Sequence, residues 1–277
     1  MLEDHALVVR GPGTADAGQS DVFLFRNRAD GGTHLARHLG SYGGRTDVPP
    51  DRALMSNLVL PRTPVRIPAS GEHLDGDLAL PPGATGLVLF AHGSGSSRHS
   101  PRNQFVARSL AQRGIGTLLT DLLTPQEEAL DQRTGHLRFD IGLLAGRVTE
   151  MLDWLPSMPA LASLTVGLFG ASTGAGTALA AAALRPHRVA AIVSRGGRPD
   201  LAGDALTQVV APTLLIVGSR DTSVVTLNRT AMGRMPGPVT LEIVPGATHL
   251  FEEPGALASV AELAGDFFSR HLVTTSE

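Results

Sequence analysis

Cysteine is absent from this chain of 277 residues. That removes thiolate nucleophiles, disulfides, thiolate zinc sites and iron–sulfur ligation together. Lysine is absent as well, because all 23 basic residues are arginine. Without lysine there is no Schiff base to pyridoxal phosphate or a carbonyl substrate, and no Walker A loop can be completed. The abundance of Ala, Gly, Arg and Pro fits GC-rich codon usage, so the missing lysine serves as an exclusion and not as a signal. No apolar run reaches the roughly 20 residues that span a bilayer, and the opening MLEDHALVVRGPG has an acidic start and no hydrophobic stretch of signal-peptide type. The net charge is −3 with the signs interspersed, which matches neither a basic nucleic-acid face nor a polybasic membrane anchor. The expectation is a cytoplasmic monomer or homodimer that engages neither nucleic acid nor membrane and uses no cofactor or metal.

Few covalent options remain besides a serine or a carboxylate, and one serine stands out. In TVGLFGASTGAGTALAAAALR, the residues Gly170, Ser172 and Gly174 spell G-x-S-x-G between an apolar strand and an Ala-rich helix. The string alone is weak, since about 0.2 copies are expected by chance from the glycine and serine content. Its context is specific. Residues 164–169 are a buried-strand run and 175–184 a helix without proline, which is where a nucleophile elbow belongs. A serine nucleophile needs a base and an acid that orients it, both at the carboxyl ends of later strands. Asp221 follows the strand at 212–218 and His249 the strand at 239–245, so the order is Ser172, Asp221, His249. Asp221 has a competing role as a helix cap, with Asp204 as the substitute acid. His271 reads as a surface residue of the last helix.

The glycines of AHGSGSS (91–97) allow backbone N–H groups to turn inward for a tetrahedral oxyanion. The expected donors are the N–H groups of Thr173 and Ser94, with Gly95 the alternative to Ser94. His92 sits in the same loop and is a candidate to bind substrate, with a structural role, bonded to nearby loop carbonyls, as the competing reading. Arg195 and Arg198 leave a strand end that borders the site, where either can hold an anionic substrate group. A salt bridge to Asp200 or Asp204 is the competing role for each.

From Pro64 onward apolar strands alternate with helices, the mark of a mostly parallel sheet covered on both faces. The reading is a hairpin at 65–67 and 74–80, then strands at 86–93, 114–121, 164–169, 189–195, 212–218 and 239–245. Helices are expected at about 102–113, 139–155, 175–184 and 256–271, and a long loop from 122 to about 137. Only about 20 residues separate the strands of Ile192 and Leu214, so there is no large lid domain.

Residues 63–272 resemble the α/β-hydrolase superfamily, in its dienelactone-hydrolase-like branch. Four segments match in order: FAHGSGSS (90–97), GASTG (170–174), LLIVGSRD (214–221) and PGATHLFEEPG (245–255). The resemblance implies an α/β-hydrolase fold in which Ser172 is the nucleophile, His249 the general base and then acid, and Asp221 the residue that orients the imidazole. It implies a small-molecule ester, thioester or lactone as substrate, an anionic one if the arginines take part. Dienelactone hydrolase itself carries cysteine as nucleophile, so the serine here puts that particular lactone in question. A hydrolase-fold module with idle chemistry, binding a ligand or partner, is the alternative function.

The stretch FRNRADGGTHLARHLGSYGGRTDV (25–48) resembles the opening helix of phosphoribosyltransferase domains, which occur fused ahead of hydrolases of this type. The match stops at Val48, and residues 49–61 offer neither a phosphate-cradling loop nor paired acidic residues. Residues 1–60 are therefore read as a partly disordered remnant without transferase activity, or a tag-like extension, ahead of a hydrolase domain at 61–277.

Overall fold

The structure is a computed structural model that describes strands at residues 6–9 and 23–25 and the chain from 61 to 272. The helix expected within residues 25–48 lies outside the described residues. Eight strands form the central sheet: β3 (Thr63–Ala69), β4 (Glu72–Ala79), β5 (Gly86–Ala91), β6 (Gly116–Thr120), β7 (Thr165–Ala171), β8 (Ala191–Arg195), β9 (Thr213–Gly218) and β10 (Val239–Val244). Two short strands, β1 (Ala6–Val9) and β2 (Phe23–Phe25), extend it beyond β10. The order is β2-β1-β10-β9-β8-β7-β5-β6-β4-β3.

β3 and β4 form an antiparallel hairpin, turned through Ser70 and Gly71, both at positive φ. From β5 to β10 all neighbouring strands run parallel, and β4 joins β6 antiparallel. β5, β6, β8 and β9 are buried at every position. A strand covered on both faces has no polar side to alternate with, and for that reason these segments read as continuous apolar runs.

The helices are α1 (Pro101–Gln112), α2 (Pro125–Thr134), α3 (Ile141–Trp154), α4 (Thr173–Leu184), α5 (Thr222–Met232) and α6 (Ala256–His271). One face of the sheet packs residues such as Leu89, Leu168 and Leu215 against α3, α4 and α5. The other packs Phe90, Phe169 and Val193 against α1 and α6. Among the described residues no helix is long and apolar enough to cross a membrane.

One element departs from the expectation. The segment expected as a loop from 122 to 137 contains α2, whose start is a complete capping box. Thr124 Oγ1 accepts from the Glu127 N–H, and the Glu127 carboxylate accepts from the Thr124 N–H. The pattern Thr-Pro-x-Glu was present in the sequence as a start signal, but almost no apolar periodicity follows it. The segment is tied down by a buried carboxylate instead. Asp131 accepts from the Leu137 and Arg138 N–H groups and from the Arg138 guanidinium.

Strand order reverses between β7 and β5, because β6 lies on one side of β5 and β7 on the other. In open α/β sheets a crevice forms outside the carboxyl ends at such a switch point. The loop 92–100 leaves β5 there, and Ser172 leaves β7 beside it.

Candidate active site

Ser172 sits between β7 and α4 with φ 52° and ψ −121°, a backbone conformation that a residue with a side chain rarely adopts. The turn is sharp enough that its flanking glycines are compulsory. A Cβ on Gly170 would stand 2.4 Å from Ala175 Cα, and one on Gly174 would stand 2.2 Å from the Ala91 carbonyl oxygen. The strained residue is held on both sides, since its N–H donates to Arg195 O at 3.1 Å and its carbonyl accepts from the Arg198 N–H at 3.0 Å.

The structure brings Ser172, His249 and Asp221 into one hydrogen-bonded line. His249 Nε2 lies 3.2 Å from Ser172 Oγ, and His249 Nδ1 lies 2.6 Å from Asp221 Oδ2. A carboxylate only accepts, so Nδ1 carries the proton and Nε2 presents its lone pair to the serine hydroxyl. Asp221 is the N-cap residue of α5 by position, yet its carboxylate makes no capping hydrogen bond. It faces His249 Nδ1 instead. Asp204 is fully exposed and accepts from Arg234 at 2.9 Å, which places it elsewhere. His271 lies on α6 with its ring 4.6 Å from that of Phe267. Gly196 lets this part of the site close, because a Cβ there would press to 3.0 Å on His249 O and 3.5 Å on its Nδ1.

The loop after β5 lies against the elbow, and a Cβ on Gly93 would meet Ala171 O at 3.0 Å and Ser172 Cβ at 3.1 Å. Thr173 is the first residue of α4, so its N–H has no acceptor within the helix. The Ser94 N–H is not free: it donates to Thr173 Oγ1 at 2.7 Å. Sequence reasoning missed this contact, since nothing local to either segment signals it.

His92 has no nitrogen left for a substrate. Nε2 accepts from the Leu122 N–H at 3.2 Å, and Nδ1 therefore donates to Gly93 O at 3.0 Å. Burial pushes its pKa below the ordinary histidine value, against the Gly93 carbonyl, Asp121 and Glu128, which favour the cation. The expectation of a substrate-binding His92 is thus corrected to a structural one. A cleft of about 480 Å³ lies along this loop, lined by His92, Gly95, Arg98, Asp121 and Glu128, but neither Ser172 nor His249 borders it. Arg98 is held at its edge by Asp121, Asp75 and Asp77.

The two arginines part ways. Arg198 is spent on Asp200, with Nε and Nη2 donating to the two carboxylate oxygens at 2.8 and 2.7 Å. For Arg198 the salt bridge named as its competing role is present. Arg195 is 6% exposed, and no described residue gives its guanidinium a hydrogen bond or an ion pair. Its nearest compensation is the face of Phe251, 6.0 Å from the ring centroid. Burial, with the charge of Arg102 nearby, lowers its pKa to about 10, so it is still a cation at neutral pH. Arg138, just beyond α2, reaches the loop after β5, where its Nη1 would lie 3.6 Å from a Cβ on Gly95.

The model of the dienelactone hydrolase family matches residues 74–273. This chain belongs to that family. It is similar to a dienelactone hydrolase from Anabaena variabilis of solved structure, at 56% identity and a TM-score of 0.75, over 76% of this chain and 98% of that one. Est1E from Butyrivibrio proteoclasticus shares the fold alone, with 15% identity and a TM-score of 0.63 over 75% of this chain and 98% of its own. Two proteins from Mycobacterium tuberculosis strains, with the provisional name phosphoribosyl transferase, are 57% identical over 208 residues. Those residues are 75% of this chain and 46% of theirs, so the chain spans about half the length of these curated relatives. Family match and fold together make residues 74–273 a domain of the α/β-hydrolase fold.

Proposed function

We propose that this protein is a serine hydrolase that cleaves a carboxylic ester, thioester or lactone through an acyl-enzyme. The observation that carries the reading is the unbroken line from Asp221 Oδ2 through His249 to Ser172 Oγ. Ser172 Oγ attacks the carbonyl carbon while its proton passes to His249 Nε2, and the carbonyl electron pair moves onto oxygen. Asp221 keeps Nδ1 protonated and balances the imidazolium. The tetrahedral intermediate collapses, and the leaving oxygen or sulfur departs with the proton from Nε2. Water then repeats the sequence on the acyl-enzyme, returning Ser172 Oγ its proton and releasing the acid.

Arg195 sets the preferred substrate in this reading. A guanidinium this buried with no counter-anion among the described residues is costly, and a carboxylate or phosphate on the substrate supplies one through two parallel hydrogen bonds. In this reading the hydrolase domain comprises residues 61–277, and 1–60 are an extension without transferase chemistry that adds β1 and β2 to the edge of its sheet. The test is labelling of the folded protein by a fluorophosphonate. Labelling that disappears in Ser172→Ala supports the reading, and a folded wild-type protein that takes no label leaves the idle binding module in its place.

A further inference from the structure

An oxyanion hole needs donors that are aimed at the developing charge and not already engaged. In this site the Thr173 N–H meets that condition and the Ser94 N–H does not, because it is given to Thr173 Oγ1 at 2.7 Å. That hydroxyl accepts one hydrogen bond and still carries its own proton, for which no described residue provides an acceptor. Thr173 is buried, 6% exposed, and is the residue directly after Ser172. A buried hydroxyl proton without an acceptor costs free energy unless something arrives to take it.

We infer that the Thr173 hydroxyl is the second oxyanion donor, acting beside its own N–H, with Ser94 as the residue that positions it. The inference rests on the serine hydrolase reading above. A threonine amide and hydroxyl are three bonds apart, and in a gauche rotamer both can donate to one oxygen atom. The Ser94 N–H does two things by donating to Oγ1. It fixes the rotamer, so that no reorganisation is needed when charge appears, and it polarises the O–H, which strengthens the bond given to the oxyanion. No proton is transferred: the hydroxyl donates a hydrogen bond as the carbonyl becomes an oxyanion and releases it when the intermediate collapses. Gly93 and Gly174 make the arrangement possible, since a Cβ on either would push the β5 loop away from the elbow.

The opposite reading gives the opposite sign. If the hydroxyl were only a plug in front of the Ser94 N–H, its removal would free that donor and leave the rate unchanged or faster. Thr173→Val keeps the shape and the N–H and removes only the hydroxyl; Thr173→Ser restores it. The measurements are the second-order rate of Ser172 labelling by a fluorophosphonate and kcat/KM on p-nitrophenyl acetate. Thr173→Val is expected to lose about 100-fold in both, mostly in kcat, while Thr173→Ser stays within a few-fold of wild type. Affinity for a trifluoromethyl ketone, whose adduct carries an oxyanion, falls by the same factor as kcat/KM in Thr173→Val. A folded Thr173→Val with wild-type or higher rates overturns the inference while the serine hydrolase reading stands. Should that variant fail to fold, Thr173→Ala reads the same loss. Wild-type protein that is folded but unlabelled fails at the earlier step and removes both.

Discussion

The backbone N–H of Ser172 donates to the carbonyl oxygen of Arg195 at 3.1 Å. One hydrogen bond thus ties the proposed nucleophile to a buried cation that has no hydrogen-bond or ion-pair partner among the described residues. The expected consequence is a trade of stability for substrate preference. Arg195→Met keeps much of the length and removes the charge. It is expected to raise KM for an acidic ester by about 1.5–3 kcal/mol of lost binding and to leave the neutral isostere nearly unchanged. Because an unpaired buried charge destabilises the fold, the melting temperature of the ligand-free variant should rise. Equal losses on both esters with a lower melting temperature would show that Arg195 is structural.

Ser172 and His249 are expected to fail as a unit. Each alanine substitution should lower turnover by several orders of magnitude, and the double variant should cost little more than either, because members of a triad do not act additively. A double variant that lost the product of the two single losses would break the proposed assignment. The measurement is kcat on one ester for the four proteins.

Gly174 and Gly146 should respond to alanine with opposite signs. At Gly174 the added carbon would stand 2.2 Å from Ala91 O and 2.5 Å from His92 O, both backbone atoms at the end of β5. Overpacking of this kind costs about 1–3 kcal/mol and should displace the oxyanion loop, so activity falls with stability. Gly146 lies within α3 with nothing near its missing Cβ. Alanine there should add about 0.5–1 kcal/mol. Urea denaturation of the two variants checks both signs.

His92 is expected to make the fold acid-sensitive. Its pKa is lowered by burial, so the unfolded chain takes up a proton, near the ordinary value of about 6.5, before the folded chain does. The stability it contributes is complete above that value and declines as pH falls toward the depressed folded pKa, by up to about 1.4 kcal/mol per pH unit. His92→Gln can still accept from the Leu122 N–H through its amide oxygen. Its melting temperature should start lower at neutral pH and fall less steeply between pH 6.5 and 5. Parallel curves for the two proteins would show that His92 does not titrate in this way.

Much of the fold and the line of three candidate residues could be read in the sequence. Buried parallel strands are continuous apolar runs, and a strand-to-helix turn around a serine needs glycine at 170 and 174 for local steric reasons. Chain order alone put Asp221 and His249 after successive strands, and the parallel order β10-β9-β8-β7 sets those strand ends along the same edge of the sheet as Ser172. The helix α6 begins and ends where its pattern does, at 256 and 271, because its amphipathic period is carried by its own residues.

Tertiary structure alone decided how each polar group is spent. Arg195 and Arg198 are three residues apart and alike in sequence, yet Asp200 takes one guanidinium and leaves the other buried without an anion among the described residues. Ser94 and Thr173 are 79 positions apart, and their hydrogen bond exists because β5 and β7 are neighbours in the sheet. His92 became structural through Leu122, at the end of a strand paired to its own. Helix α2 lacks an apolar stripe and is held by Asp131, whose partners lie beyond its own end. Apolar burial follows periodicity along the chain, whereas a hydrogen bond depends on which remote donor arrives within about 3 Å, and that is set only when the strands take their places in the sheet.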